Sequence, residues 1–341
     1  MKKVTLNDIA ARLNLSKSLV SRALLNKYGV SEDTRQLIIQ TAREMNYSSP
    51  KWNPNMTEPS HGTKYVCLLA LREDFSDSNY YANIIENIEK TLKAHHIKLQ
   101  LSFVNLDSEI ITSFEQNSGI IILGRIPDKQ LEVVAQQNIP CILVDSCDYR
   151  GEQFDTLMAS NHKAVYDATC YAIQCGYKNL AFIGSENYSN SFRERLDGFQ
   201  SCVKDHANSI SKVYTATGDY NDIQIPVDYE ELEMVLSAAQ LPLACICAND
   251  IVATLVYELA AKMNLSIPKD IAVIGFDNIP RSQWMSPQLT TIASPMAEMG
   301  RLSVKMLLDR MESPESPHRS IYVHTHFVQR QSVSDKSTDS L

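Results

Sequence analysis

Apolar residues in the first 48 positions recur at intervals of three and four, which is the spacing of amphipathic helices. Thr5, followed three residues later by Asp8, forms a capping box that starts a first helix near Leu6. Ser16 and Ser31 are positioned to cap a second and a third helix. The residues expected to face inward are Ile9, Ala10, Leu13, Val20, Ala23, Leu24, Leu37, Ile38, Ala42 and Met45. The pattern therefore predicts a helix-turn-helix braced by a third helix.

The second helix, within NLSKSLVSRALLN, has a polar outward face. Arg22 can bond bidentately to a guanine edge, and Lys17 can reach a guanine or a phosphate. Ser18 suits several base edges, while Ser16 and Ser21 suit phosphate oxygens. A polar helix face can also be ordinary solvent-exposed surface, so this pattern alone does not establish DNA binding.

Beyond residue 63 the pattern changes to short β-rich runs separated by helical stretches. The strand-like runs are KYVCLLAL, IKLQLSFV, GIIILG, PCILVD, NLAFIG, LACICA and IAVIGF. Such alternation predicts parallel sheets with helices on both faces, and two series of strands predict two lobes. Because ligands of these sheets bind beyond the carboxyl ends of the strands, a ligand is expected in the cleft between the lobes.

Charge is distributed unevenly along the chain, which has 32 Lys and Arg residues against 40 Asp and Glu residues. Residues 1–60 contain nine of the basic and five of the acidic residues, a net charge of +4, so the remaining 23 and 35 give the rest of the chain −12. Each Lys or Arg near a phosphate releases condensed counterions, so a basic module suits a polyanion. The charge distribution therefore suits a polyanion-binding head on an acidic body, and a solvated surface on a small helical bundle is the alternative that charge alone leaves open.

Two stretches of the head, VTLNDIAARLNLSKSLVSRAL and VSEDTRQLIIQTAREMNY, resemble the DNA-binding head of the lactose-repressor (LacI/GalR) family of bacterial transcription regulators. The body resembles the same family in IPCILVDS, CGYKNLAFIG, RERLDGF, CANDIVA, SIPKDIAVIGFDNIP and PQLTTIASPMAEMGR. The resemblance covers residues 3–331 and implies a small all-α helix-turn-helix head and a two-lobed α/β body like the periplasmic sugar-binding proteins. It implies a head at 1–48, a linker at 49–63, a body at 64–331 and a flexible tail at 332–341.

The resemblance also implies how the two lobes are assembled, because the chain of the family crosses between lobes three times. The N-terminal lobe is expected from about 64–160 and 294–319, and the C-terminal lobe from about 161–293 and a strand near 321–329. The implied protein is a repressor that binds a near-palindromic operator as a homodimer and holds a small-molecule effector between its lobes. A sugar is the leading effector class, and a purine, a nucleoside or a phosphorylated metabolite is the alternative.

Five residues of the body match the positions at which the family binds its effector. Arg195 in RERLDGF and Asp277 in IGFDN match charged residues that grip ligand hydroxyls or carboxylates, while Asn249 of CAND and Tyr220 of TGDY match a hydrogen-bonding amide and a stacking ring. Each has a simpler explanation: ion pairing for Arg195, helix capping for Asn249 and loop packing for Tyr220. Ser160 replaces a common family Asp, and its hydroxyl holds a diol less strongly than a carboxylate does.

The linker SSPKWNPNMTEPSHG contains three prolines, which is a departure from the family. Family members often form a hinge helix here on specific DNA and insert a leucine into the minor groove, and Met56 lies near that leucine position. Pro54 lies about one turn into such a helix, where its missing N–H and its ring cost roughly 3 kcal/mol. A mostly extended linker is therefore expected, with Met56 as a DNA contact alongside Thr5 and Leu6 of the head.

Other classes of protein are disfavoured by what the sequence lacks. GxG, G-x-x-x-x-G-K and G-x-S-x-G do not occur, so the common phosphate-binding and nucleophile motifs are missing and neither an enzyme nor a cofactor is expected. His324 and His326, on one face of a predicted strand, have no further metal ligand nearby. The eight cysteines form no CxxC pair, have no His at zinc-finger spacing and are interpreted as reduced core residues.

Without a membrane-length apolar run or a secretion signal, a cytoplasmic protein is expected. A cytoplasmic ligand-binding protein that never contacts DNA is a further alternative, against which the basic head argues.

Overall fold

The computed structural model divides the chain into two compact units, Met1–Lys64 and Tyr65–Leu341. The residues that it describes are 4–24, 30–47, 49, 64–72, 74, 79–105, 114, 117–147, 153–217 and 227–336. Met56 and Tyr220, for which DNA and effector contacts were predicted, lie outside these ranges, as do residues 50–63 of the linker.

Ten α-helices and twelve strands fall within the described residues. The helices are α1 (Leu6–Leu13), α2 (Lys17–Leu24), α3 (Glu32–Glu44), α4 (Asn79–Ala94), α5 (Asp128–Ala135), α6 (Asn161–Gln174), α7 (Asn190–Asp205), α8 (Tyr229–Ala238), α9 (Asp250–Lys262) and α10 (Met296–Glu312). The strands are β1 (Tyr65–Leu71), β2 (Lys98–Val104), β3 (Asn117–Leu123), β4 (Cys141–Val144), β5 (Asp155–Ala159), β6 (Asn179–Ile183), β7 (Lys212–Ala216), β8 (Leu243–Cys247), β9 (Ile271–Asp277), β10 (Thr290–Ala293), β11 (Ser320–Val323) and β12 (His326–Val328). In the part of the chain described, no helix is both long enough and apolar enough to cross a membrane.

The helices of the first unit begin where the sequence predicts. Thr5 and Asp8 form the capping box of α1, in which the Thr5 amide donates to a carboxylate oxygen of Asp8 at 2.8 Å. The hydroxyls of Ser16 and Ser31 accept from backbone amides three residues later, at 3.1 and 3.4 Å. These bonds satisfy amide groups that a helix leaves without an internal partner at its N-terminus.

The core of the first unit confirms most of the predicted inward-facing residues. Its buried members are Ile9, Ala10, Val20, Ala23, Leu24, Ile38, Ala42 and Tyr47. Leu13 and Met45 are half-buried and pack against this core. The prediction for Leu37 is wrong, since this residue is 51% exposed. Arg35 turns inward on α3 instead, and its guanidinium donates to the carbonyl of Ala23 at 3.0 Å.

The first sheet of the body belongs to the N-terminal lobe and has the strand order β11-β5-β4-β3-β1-β2, with every neighbouring pair parallel. Alternate residues of β1 enter two different apolar clusters. One cluster contains residues of α4 and α10, and the other contains residues of α5. Because successive side chains of a strand point to opposite faces, helices cover both faces of this sheet.

An ion pair between distant parts of the chain closes the N-terminal lobe at its edge. Asp155, at the start of β5, is fully buried and accepts hydrogen bonds from Nε and Nη2 of Arg310 at 3.0 and 2.9 Å. The backbone amide of Arg319 donates to the same carboxylate at 2.7 Å. These charge-assisted bonds hold the pKa of Asp155 below its usual value, although burial acts in the opposite direction.

The second sheet belongs to the C-terminal lobe and has the order β12-β10-β9-β8-β6-β7. Only β12 runs antiparallel to its neighbour among these pairs. Helices α6 and α7 pack closely against each other because Gly198 has no side chain. A Cβ atom at Gly198 would lie 2.2 Å from the carbonyl oxygen of His162. The all-α head and the two-lobed α/β body confirm the predicted fold class.

Two expectations for the last part of the body need correction. The single C-terminal-lobe strand expected near 321–329 is two short strands, of which β11 joins the first sheet and β12 the second. The chain crosses between the lobes at this point, so His324 and His326 do not share a strand.

The tail expected to be flexible at 332–341 is also packed at its start. Ser332 is fully buried, and its hydroxyl donates to the carbonyl of Val273 at 2.6 Å. Val333 enters the core of the C-terminal lobe. The Ser332 bond satisfies a backbone carbonyl of the second sheet, so residues 332 and 333 are part of the folded body.

Candidate DNA-binding surface and effector cleft

The polar face predicted for α2 is present in the head. Lys17, Ser18 and Arg22 are exposed and Ser21 is half-buried, while Val20, Ala23 and Leu24 lie in the core. An exposed helix face of this composition has the donors that a major groove accepts. The remaining predicted DNA contacts have additional structural roles. Ser16 caps α2, Thr5 caps α1, and Leu6 is half-buried against the core of the head.

In the body, Arg195 and Asp277 lie together, and this ion pairing is the simpler explanation given for Arg195. Arg195 lies on α7 and Asp277 ends β9, and Nη2 of Arg195 lies 3.8 Å from Oδ1 of Asp277. The guanidinium also donates to the side-chain oxygen of Asn161 at 2.9 Å and to the carbonyl of Ala248 at 2.7 Å. It stacks over the ring of Phe276, 3.6 Å from the centroid. Arg195 is therefore a fixed positive charge at the carboxyl ends of the C-terminal-lobe strands.

The backbone of Asp277 is held in an unfavourable conformation. Its φ angle is 104°, in a region that residues with a side chain rarely adopt. Ser294 donates to Oδ1 of Asp277 at 3.0 Å, so both Ser294 and Arg195 orient the carboxylate. Strain of this kind persists only where the surrounding structure enforces it, and it is concentrated at functional sites.

Asp145 brings a second carboxylate to the cluster from the other lobe. It follows β4 at the carboxyl end of the N-terminal-lobe sheet, and its Oδ1 accepts from the hydroxyl of Ser191 on α7 at 2.7 Å. Burial raises the pKa of Asp145 to about 6, against the opposing effects of Arg195 and Ser191. Burial also raises the pKa of Asp277, which Arg195 opposes. The site thus contains two buried carboxyl groups and one guanidinium, contributed by both lobes.

Two further hydroxyls are buried in the body, and that of Ser185 has no hydrogen-bond partner among the described residues. One belongs to Tyr80 of α4, and the charge of Asp145 adds to burial in raising its pKa well above the ordinary value. The other belongs to Ser185, which lies just beyond β6 at the carboxyl edge of its sheet. Because buried polar groups are nearly always paired, the unpaired hydroxyl of Ser185 at a strand edge indicates a place for a polar ligand.

The other predicted effector contacts differ in how far they are engaged. Ser160 precedes α6 at the end of β5, and its side chain makes no capping hydrogen bond. Asn249 caps α9 by accepting from the amide of Val252 at 2.9 Å, which matches the simpler explanation for this residue. Asn161, which the sequence interpretation overlooked, donates to Glu194 at 2.9 Å and positions Arg195.

Further contacts cross the cleft between the lobes. Arg125 of the N-terminal lobe forms an ion pair with Asp74, lies 4.1 Å from the ring centroid of Tyr188 and donates to the Tyr188 carbonyl at 3.5 Å. The hydroxyl of Tyr322, on β11, donates to Glu194 of α7 at 3.3 Å. These polar contacts hold the two lobes together around the carboxyl groups of the cleft.

Comparisons with known proteins match both units. The family described as bacterial regulatory proteins, lacI family, matches residues 5–50, and the periplasmic binding protein-like domain matches residues 171–333. The HTH-type transcriptional repressor PurR of Proteus mirabilis (strain HI4320) is 28% identical over 339 residues, which is 97% of each chain.

Solved structures show the same fold. A LacI family transcriptional regulator from Enterococcus faecium with bound ribose has a TM-score of 0.66 and 22% identity, over 80% of this chain and 99% of the other. The lac repressor dimer bound to operator and the anti-inducer ONPF has a TM-score of 0.67 and 20% identity, over 98% and 100%.

A helix-turn-helix head joined to a periplasmic-binding-protein-like body defines a class of DNA-binding transcriptional regulators. The head matches the lacI family of bacterial regulatory proteins, and nearly the whole chain is similar to a transcriptional repressor. The matched relatives are transcriptional regulators, which supports the interpretation that this protein is not an enzyme.

Proposed function

We propose that the protein is a repressor whose binding to a near-palindromic operator is controlled by a small molecule held between the two lobes. The observation that carries the proposal is the cluster of Asp145, Arg195 and Asp277, because a buried group of charges drawn from both lobes links ligand contact to lobe geometry. The exposed face of α2 in the head, residues 1–48, supplies the DNA contacts. The body, residues 64–331, supplies the switch. Because a bacterial operator lies in the cytoplasm, the protein acts there.

A sugar is the effector class that this chemistry supports best. Carboxylates accept from the hydroxyls of a polyol, while the guanidinium of Arg195 can donate to them. Two acidic groups against one cation disfavour a phosphorylated metabolite, because like charges brought together in a buried site repel. The relative crystallised with ribose gives independent support. A purine or a nucleoside is the second candidate, favoured by the aromatic rings of Tyr188 and Phe192, which lie 4.8 Å apart.

A homodimer accounts for an exposed apolar patch on the C-terminal lobe. Trp284 is 84% exposed, and with Met285 and Tyr257 it lines a shallow groove beside α9. An exposed tryptophan in an apolar patch is typical of an interface centre. A twofold pair of bodies sets the spacing of two heads, and a near-palindromic operator has the matching symmetry.

The test begins with selection of DNA from a randomised pool by the full-length protein. Enrichment of a near-palindrome is expected, whereas a pool that stays random would favour the ligand-binding protein without DNA contact. Sugars, purines, nucleosides and sugar phosphates are then screened by the thermal shift that they give. The effector must change operator affinity, and operator DNA must change effector affinity by the same factor. A compound that shifts the melting temperature without changing operator binding would contradict the proposed switch.

A further inference from the structure

A cluster of two thiols and one imidazole lies on the C-terminal lobe, where α6 packs against α7. Sγ of Cys170 on α6 is 3.0 Å from Sγ of Cys202 on α7. His206 follows one helical turn after Cys202, and its Nδ1 lies 3.6 Å from the Cys202 sulfur. The candidate ligand atoms of the three residues all lie within 4.8 Å of one another. The close packing permitted by Gly198 brings these groups together.

The spacing of the three groups suits a tetrahedral metal ion better than it suits plain packing. Two sulfurs that each lie about 2.3 Å from a zinc ion are separated by roughly 3.8 Å at the tetrahedral angle. The observed 3.0 Å therefore needs only a small outward movement of the two side chains. The i and i+4 positions of Cys202 and His206 present both ligands on one face of a helix, as in other helical metal sites. A disulfide between the two cysteines would not account for the histidine beside them, whereas a metal site would.

The immediate surroundings of the cluster hold the histidine ring in place and leave the site open to solvent. Nδ1 of His206 lies 3.0 Å from the carbonyl oxygen of Cys202 and 3.6 Å from the sulfur of the same residue, so the ring is held beside that thiol. Cys202 is fully buried, while Cys170 and His206 are half-buried, so the site is reachable from solvent.

We propose that Cys170, Cys202 and His206 form a site for a thiophilic divalent cation of the zinc type, with water as the fourth ligand. Binding displaces the two thiol protons to solvent and changes no oxidation state. The ion ties the second half of α6 to the end of α7. These two helices also carry Asn161 and Arg195 of the effector cleft, so the metal stabilises the framework on which the effector cluster is built.

Cobalt(II) is a suitable probe because its absorption reports both thiolate coordination and geometry. The full-length protein, reduced and freed of any affinity tag, is titrated with cobalt(II). The expected result is one equivalent per chain, with a sulfur-to-metal charge-transfer band in the near ultraviolet and the visible bands of a tetrahedral ion. Zinc(II) is expected to displace the cobalt and remove both bands.

Variants locate the site and separate it from other thiols. Cys170→Ser and Cys202→Ser are expected to remove the charge-transfer band. His206→Gln, at a half-buried position, is expected to weaken cobalt affinity by about 10- to 100-fold. Cys175→Ser is the matched control, because Cys175 is a half-buried cysteine at the end of α6 outside the cluster. It is expected to bind cobalt as the parent does.

Three results would overturn the proposal. The first is a parent protein that gives no charge-transfer band, and the second is a band that survives in the Cys170→Ser, Cys202→Ser double variant. The third is cobalt affinity that does not change in His206→Gln. A protein that binds no metal but forms a Cys170–Cys202 disulfide with hydrogen peroxide would identify the pair as a redox couple and would also contradict the metal site. None of these outcomes affects the proposed repressor function, which operator selection tests separately.

Discussion

Replacing Arg195 with Ala is expected to abolish the effector response and to lower the free energy of unfolding of the body. The substitution leaves the buried carboxylate of Asp277 without its cation and removes the donors to Asn161 and Ala248. Breaking a buried ion pair by removing one partner costs about 3 to 5 kcal/mol, and a buried acceptor left without a donor costs about 1 to 3 kcal/mol. These losses overlap because all three partners share one guanidinium, so we expect about 3 to 5 kcal/mol in total.

The effect is large enough to be seen as a shift in melting temperature. In a domain of this size 1 kcal/mol corresponds to roughly 2 to 4 °C, which gives a decrease of about 6 to 20 °C. Thermal unfolding of the full-length variant measures this shift, and fluorescence anisotropy with labelled operator measures DNA binding below the transition. Operator affinity is expected to stay near the parent value, because the head is a separate compact unit.

Arg193→Ala is the matched control, because Arg193 lies on the same helix with an exposed side chain. Exposed substitutions usually change stability by less than about 0.5 kcal/mol. If Arg195→Ala unfolds within about 1 kcal/mol of the parent, the buried ion pair does not have the role assigned to it. A variant that still responds at the parent's effector concentration would remove Arg195 from the effector site.

The remaining predictions concern the head, the linker, the proposed dimer and pH. Arg22→Ala is expected to weaken operator binding by about 1 to 3 kcal/mol and to relax one base position, measured by anisotropy on single-base operator variants, whereas unchanged preference would contradict docking through α2. Pro54→Ala is expected to strengthen operator binding and increase the DNA bend in a circular-permutation gel shift, and a parent that already bends DNA sharply would contradict an extended linker. Trp284→Ala is expected to raise the dimer dissociation constant at least tenfold in sedimentation equilibrium, and an unchanged constant would exclude this patch. Burial raises the pKa of Asp250 to about 8, so the folded protein keeps a proton that the unfolded chain loses above about pH 4. The stability that this bound proton contributes is therefore lost as the pH rises from about 4 to about 8. Asp250→Asn is expected to flatten that part of the pH profile of the unfolding free energy measured with urea. A variant with the parent's pH profile would show that Asp250 ionises normally.

Local patterns in the sequence predicted most of the fold. Caps at Thr5, Ser16 and Ser31 fixed the helix starts of the head, and alternating strand and helix patterns predicted the two parallel sheets. Leu37 was misplaced because periodicity cannot tell which of two neighbouring positions faces the core. In the structure, Ile38 faces the core, and Arg35, three residues earlier on the same face, is buried and bonds a carbonyl of another helix.

The effector cleft was predicted only in part, because its residues meet through tertiary contacts. Arg195 and Asp277 were found through motifs, but Asp145 and Tyr80 were missed. A signal for Asp145 was present, since it follows the strand run PCILVD at the carboxyl end where ligands bind. No local pattern marks Tyr80, whose place beside Asp145 depends on how α4 packs on its sheet.

The ion pair of Asp155 with Arg310 has a consequence for how the protein is made in the cell. The two residues are 155 positions apart, and β11, which completes the same sheet, comes later still. At translation rates of about 5 to 20 residues per second, the carboxylate of Asp155 waits roughly 8 to 30 seconds for its cation to leave the ribosome. During that time the N-terminal lobe has an unpaired edge and an acidic group that cannot be buried without cost. The nascent chain is therefore expected to delay completion of its first lobe until the second has been synthesised, and to depend on chaperones in that interval.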